Sequence, residues 1–189
     1  MILQLLISES QLGLRVNRLL RERSVQQRTL AMILDDVQRS SRISPTPQLE
    51  QHACSLAGRL PVLHLTTTTG PITYSVGAAP SAIWRGQVLM RCGPAFDLAG
   101  QPTLGSAAQN RVVIDGLATH PEPWQGCGAG LETSSPPQDL AHSSGKALSG
   151  CLEGSANTAV LGVRVVQELA GARGEVQRID SETRISSAV

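Results

Sequence analysis

Aromatic side chains are scarce in this chain of 189 residues: Tyr74, Trp84, Phe96 and Trp124 are the whole set, leaving 73 residues before them and 65 after with none. Aromatic side chains bury roughly 150–250 Å² each and usually dominate cores and stacking surfaces. Outside 74–124, any core must therefore be built from aliphatic side chains, and no base- or sugar-stacking platform is expected there. Lysine is nearly missing too, with Lys146 alone against fifteen arginines. The arginines are scattered, which fits a GC-rich coding sequence better than a built anion site. Charged residues make up 16% of the chain, below the roughly 25% of ordinary soluble domains.

Charge of one sign is not concentrated either. Residues 1–43 hold seven arginines against four acids, 115–155 hold one lysine against five acids, and the whole chain carries +1. A nucleic-acid surface calls for a basic stripe or a pI above about 9, so no nucleic-acid partner is expected. No run approaches the roughly 18–20 apolar residues that cross a bilayer, and no transmembrane segment is expected. The opening MILQLLI lacks a positive leader and meets Ser8-Glu9-Ser10 at once, which argues against a cleavable signal. Mitochondrial targeting by residues 1–34, amphipathic with five arginines and two acids, is the alternative to a cytoplasmic location. The four cysteines (Cys54, Cys92, Cys127, Cys151) stand 38, 35 and 24 positions apart. That is neither a dense disulfide framework nor a zinc pattern, and an intracellular, reduced context is expected.

Proline is absent from the first 44 residues and the last 52, and Gly13 is the single glycine of 2–43. Helix breakers are thus removed from the N-terminal region. Alternating steps of three and four pick out Ile2, Leu5, Glu9, Leu12, Val16, Leu19, Arg23, Gln26, Leu30, Ile33 and Val37. Eight of these eleven are aliphatic, a heptad-like seam that predicts a long amphipathic helix of coiled-coil character over 1–43. Its polar interruptions allow either one helix with a polar waist or a break near Ser24. Ser44-Pro45-Thr46-Pro47 ends it.

Short runs between turn residues follow. Val62–Leu65 and Ile72–Val76 flank a Thr-rich stretch with Gly70-Pro71 and read as a hairpin. Gln87–Met90 and Arg111–Ile114 are further strand candidates. Residues 115–155, rich in Pro, Gly and Ser, read as a flexible linker. Ala156–Ala170, with its β-branched run Thr158–Val166, reads as a strand or equally as a short C-terminal helix stopped by Gly171, the helix being preferred, with a tail to 189. The expected fold class is α+β, weakly defined: a long helix, a few short strands in 60–114, an irregular 115–155, and substantial disorder.

Chemistry is hard to find in this pattern. Ser143 and Lys146 have the spacing of a Ser–Lys dyad, but Gly145 and Gly150 disfavour the helix that would align them. Gly126-Cys127-Gly128-Ala129-Gly130 suggests a phosphate-cradling turn, yet no strand precedes it and no helix follows. Gly145-Lys146 lacks the rest of a P-loop. Among His52, Cys54, His64, His120, Cys127, His142 and Cys151, only His52-x-Cys54 approaches metal-ligand spacing, and neither a metal nor a cofactor is expected. Asp115, closing Val112-Val113-Ile114 and followed by His120, is the enzymatic candidate, because strand ends hold catalytic carboxylates rigidly beside accessible loops. The competing reading is a plain Asp-Gly turn.

Three functions follow from this. The first is a non-enzymatic interaction or regulatory protein that uses Ile2, Leu5, Leu12, Val16, Leu19, Leu30, Ile33 and Val37 for self-association or for a protein partner. The second is a small enzyme with its site at Asp115 and His120. The third is the product of a GC-rich reading frame with no well-evolved function.

Overall fold

A single unbroken helix of 37 residues, α1 (Ile2–Gln38), opens the chain. The computed structural model describes residues 2–127, 136–155, 158–170 and 174–188, with side chains over 13–127, 136–154, 160–170 and 174–186. No break occurs at Ser24, since neither proline nor glycine interrupts the turns after Gly13. The buried side of α1 carries Glu22, Gln26, Thr29, Leu30, Ile33, Asp36 and Val37, steps of three and four that put them on one helical face.

Nine strands follow among the described residues: β1 (Ser40–Ser44), β2 (Leu60–Thr67), β3 (Gly70–Ala78), β4 (Gln87–Gly93), β5 (Gln109–Leu117), β6 (Gln138–Asp139), β7 (Leu148–Ser155), β8 (Thr158–Ala170) and β9 (Val176–Ala188). They join in one antiparallel sheet with the order β1-β2-β3-β4-β5-β8-β7-β6, and β9 also pairs with β8. The long strand β8 is the junction. Its register with β9 runs unbroken from Thr158↔Ala188 to Ala170↔Val176. Its other edge is shared, taking β7 from Ser155↔Thr158 to Leu148↔Val165 and β5 at Leu117↔Gln167.

The sheet curls so that β2 packs on β7, while α1 lies against β9, β5, β8 and β1. Burial therefore runs through consecutive residues in the middle strands, Pro61–Leu65 in β2 and Ile72–Val76 in β3. Both faces of those strands are covered, so the alternation of a one-sided sheet is lost. One aliphatic core joins Leu30, Ile33 and Val37 of α1 to Val62, Leu65, Leu89, Leu148, Leu161 and Val166 of the strands.

The hairpin at 60–78 and the strands at 87 and 111 form as the sequence suggests. Other expectations are corrected. The fold is a curled antiparallel sheet with one helix, ordered over most of its length, rather than a weakly defined α+β chain with substantial disorder. The coiled-coil reading fails because Leu30, Ile33 and Val37 of the seam pack into this chain's own core. Residues 158–170 are strand β8 instead of a C-terminal helix: Thr158, Val160, Val163, Val165 and Val166 are β-branched, and Gly162 weakens a helix. The tail is strand β9. In 115–155, taken as flexible, the structure places β6, β7 and the end of β5; residues 128–135 lie outside the described ones. All four cysteines are paired, Cys54 with Cys92 and Cys127 with Cys151, against the expectation of reduced thiols.

Candidate functional site

Asp115 sits where β5 departs from regular pairing. Gln87 faces Leu117 and Leu89 faces Ile114, so Asp115 and Gly116 together oppose Val88 alone. Such a bulge re-aims side chains at a strand end. Gly116 has φ +66°, left-handed backbone that an L side chain adopts only with strain. Its N–H donates to the Arg85 carbonyl at 2.7 Å. The Arg85 N–H donates in return to Asp115 Oδ2 at 3.0 Å. The bulge and the β3–β4 loop are thereby clamped together.

The Arg85 side chain completes the clamp. Its guanidinium donates to both Asp115 oxygens, at 3.2 and 2.8 Å, and to Glu22 Oε1 of α1 at 3.3 Å. Partial burial opposes the charge of Asp115, but the hydrogen bonds from Arg85 outweigh it and hold the carboxyl below its ordinary range. Those same bonds to Asp115 raise Arg85. A carboxylate with both oxygens engaged and its acidity strengthened is a poor proton carrier near neutral pH.

Beside this triad a cleft of about 650 Å³ opens between α1 and β5, with Arg18 and Arg21 at its rim and Trp84 on one wall. Arg18 is partly engaged, donating to the Ala170 carbonyl at 3.1 Å. Glu22 and Asp115 line the same cleft, and both carboxylates are taken up by Arg85.

His120 is exposed, and its carbonyl takes a long bond from Arg178 at 3.5 Å. Among the described residues no hydrogen bond or ion pair joins it to Asp115. Of the metal candidates the structure brings His52 and His64 together, with ring centroids 5.7 Å apart. Cys54, Cys127 and Cys151 are in disulfides, while His52 and His64 both direct Nδ1 at the Thr73 hydroxyl, at 3.2 and 2.8 Å. Among the described residues no cluster of three or more His, Cys, Asp or Glu could hold a metal. Ser143 and Lys146 form no dyad: the Ser143 hydroxyl accepts from the Gly150 N–H at 2.9 Å, and Lys146 Nζ donates to the Ala141 carbonyl at 3.1 Å. The turn at Gly126–Gly130 lies largely outside the described residues.

The seam of α1 divides. Leu30, Ile33 and Val37 are buried, whereas Val16 is exposed and Leu19 half-buried; for Ile2, Leu5 and Leu12 the side chains lie outside the described residues. Leu14 and Leu20 are exposed as well.

Two constellations escape a reading of the sequence. Asp36 of α1 receives Arg91 of β4 in a two-pronged bond, at 2.7 and 3.1 Å, together with the Tyr74 hydroxyl at 2.6 Å. A charged residue on the core-facing side of the helix was the available signal, since a buried carboxylate demands a cation. The second holds the irregular segment after β5. Arg178, Arg164 and Arg184 donate to the carbonyls of His120, Glu122 and Gly126, and Trp124 Nε1 donates to Glu182 at 2.9 Å. No local pattern announces it.

No family model, curated protein or solved structure matches this chain. Among the described residues no helix is long and apolar enough to cross a membrane.

Proposed function

We propose that this chain is a non-enzymatic interaction protein whose N-terminal helix mediates self-association or docks a protein partner. The observation that carries the reading is the division of α1. Its half from Glu22 onward is committed to the chain's own sheet, while on the part that precedes it Val16 and Leu20 stand exposed one turn apart and Leu14 stands exposed on the other side. Helical stability comes mostly from packing an apolar face, so a helix that continues apolar beyond its own sheet is suited to a second surface. The engagement of Asp115 by Arg85 weighs against the enzymatic alternative. The buried Asp36–Arg91–Tyr74 network weighs against a frame without selection, because such a charge is tolerated only when fully partnered.

Removing residues 1–43 would delete part of the core, so the test is by substitution. Light scattering over a range of concentrations compares the natural chain with a Leu14→Glu, Val16→Glu, Leu20→Glu variant. The expected result is a concentration-dependent assembly that the variant loses while its circular dichroism and melting stay unchanged. A natural chain that remains monomeric throughout, and that yields no partner sensitive to the same three changes, overturns the reading.

A further inference from the structure

We infer that this protein receives its two disulfides from an oxidised dithiol partner in an oxidising compartment, and that both bonds belong to its working state. The placement of the cysteines carries this. Four cysteines scattered over the sequence meet in two pairs, with Cα–Cα separations of 5.9 Å for Cys54–Cys92 and 5.6 Å for Cys127–Cys151. Both lie within the roughly 4.4–6.8 Å that a disulfide bridges. No cysteine is left over, and among the described residues none has the further ligands a metal site would need.

Each bond also joins the same two kinds of structure. One cysteine lies on a buried strand position, Cys92 in β4 and Cys151 in β7. The other lies in a segment without helix or strand, Cys54 ahead of β2 and Cys127 beyond β5. Each bond therefore ties an irregular segment to a strand, beside the anchors that Pro47 supplies in the first segment and Ala118, Pro121 and Trp124 in the second. The second segment is the one whose carbonyls are held by Arg164, Arg178 and Arg184, so Cys127–Cys151 fastens the end of a strap already lying across β8 and β9. Disulfides of this structural kind persist outside the reduced cytosol.

The chemistry balances with one reactant class. A thiolate of the pair attacks the disulfide of the partner, forming a mixed disulfide and releasing one partner thiol. The second thiolate then displaces the partner's remaining sulfur. Each bond formed removes two electrons and two protons from this chain and reduces one partner disulfide to a dithiol. The inference stands apart from the proposed role of α1.

The test is acid-quenched thiol trapping on the full chain isolated from the cells that make it, followed by alkylation in denaturant without reductant and mass spectrometry of peptides. The expected result is no alkylated cysteine, with crosslinked peptides pairing Cys54 with Cys92 and Cys127 with Cys151. A Cys92→Ala variant should accumulate a mixed disulfide between Cys54 and a dithiol protein. Reduction of the natural chain, which opens both bonds, should speed thermolysin cleavage by roughly ten-thousandfold or more where cleavage follows the opened population. Four alkylated cysteines in the acid-trapped chain, any other pairing, or cleavage unchanged by reduction overturns the inference.

Discussion

Asp36 and Arg91 are each 1% exposed and face each other across the junction of α1 with the sheet. Removing either partner strands the other charge in the core, so Asp36→Asn or Arg91→Met is expected to cost about 3–5 kcal/mol in urea unfolding. Tyr74→Phe removes a hydroxyl but leaves the ion pair, and should cost only about 1–2 kcal/mol. Equal losses for all three variants would mean that the pair adds nothing beyond packing. His64 offers a pH test. Burial, then the neighbouring His52, holds it below its ordinary 6.5. The unfolded chain therefore binds a proton below about 6.5 that the folded chain still refuses. Stability is fully present above that pH and falls as the pH drops below it. His64→Gln should flatten this slope below about pH 6.5 in denaturant titrations; an unchanged slope assigns the effect elsewhere.

The elements show how far local pattern reaches. The proline-free stretch 2–43 states a helix plainly, and α1 forms without a kink, but it stops at Gln38 and the expected last turn becomes β1, where Ser40–Ser44 pair with β2. Its periodicity does not state what the helix packs on. Glu22, Gln26 and Asp36 lie on the buried side because Arg85, Ile179 with Ser181, and Arg91 meet them there, partners at least 55 positions away. The pattern of 158–170 does not separate strand from helix, because Ala, Leu and Val serve both states when a segment is buried all round, and the structure makes it β8. Its Gly162 has a specific reason to be glycine: a Cβ there would sit 2.8 Å from the Trp124 ring. Gly162→Ala should displace Trp124 from β8 and cost about 1–3 kcal/mol, read as a shift in tryptophan emission in a Trp84→Phe background together with a lower melting point. Unaltered emission and melting would show that the ring is not seated against the strand.

At the scale of the whole molecule, the two disulfides close loops of 38 and 24 residues. In the loop-entropy account, each restricts the unfolded chain by an amount worth about 3–4 kcal/mol. Full reduction is therefore expected to lower the urea midpoint markedly, with Cys54→Ala, Cys92→Ala and Cys127→Ala, Cys151→Ala pairs each giving part of that loss. A midpoint unmoved by reductant would mean that the aliphatic core and the arginine straps suffice alone. The scarcity of aromatics gains a physical meaning here. Tyr74 closes the ion pair under α1, Phe96 lies 4.5 Å beneath the Arg91 guanidinium, and Trp124 seats the strap. Each aromatic of this trio works beside an arginine or a carboxylate, and Tyr74 fills the aliphatic core as well.

A long helix and the turn-bounded strands of 60–114 are legible in the residues alone, because each is written in neighbours a few positions apart. Only the tertiary structure decided that Asp115 is held by Arg85, that β8 is a strand shared by three others, and that the cysteines pair. Those outcomes depend on contacts between residues far apart in the chain. Burial on both faces erases the alternation that would reveal a strand, and the partner of a buried charge or a cysteine is chosen by the sheet that brings it near.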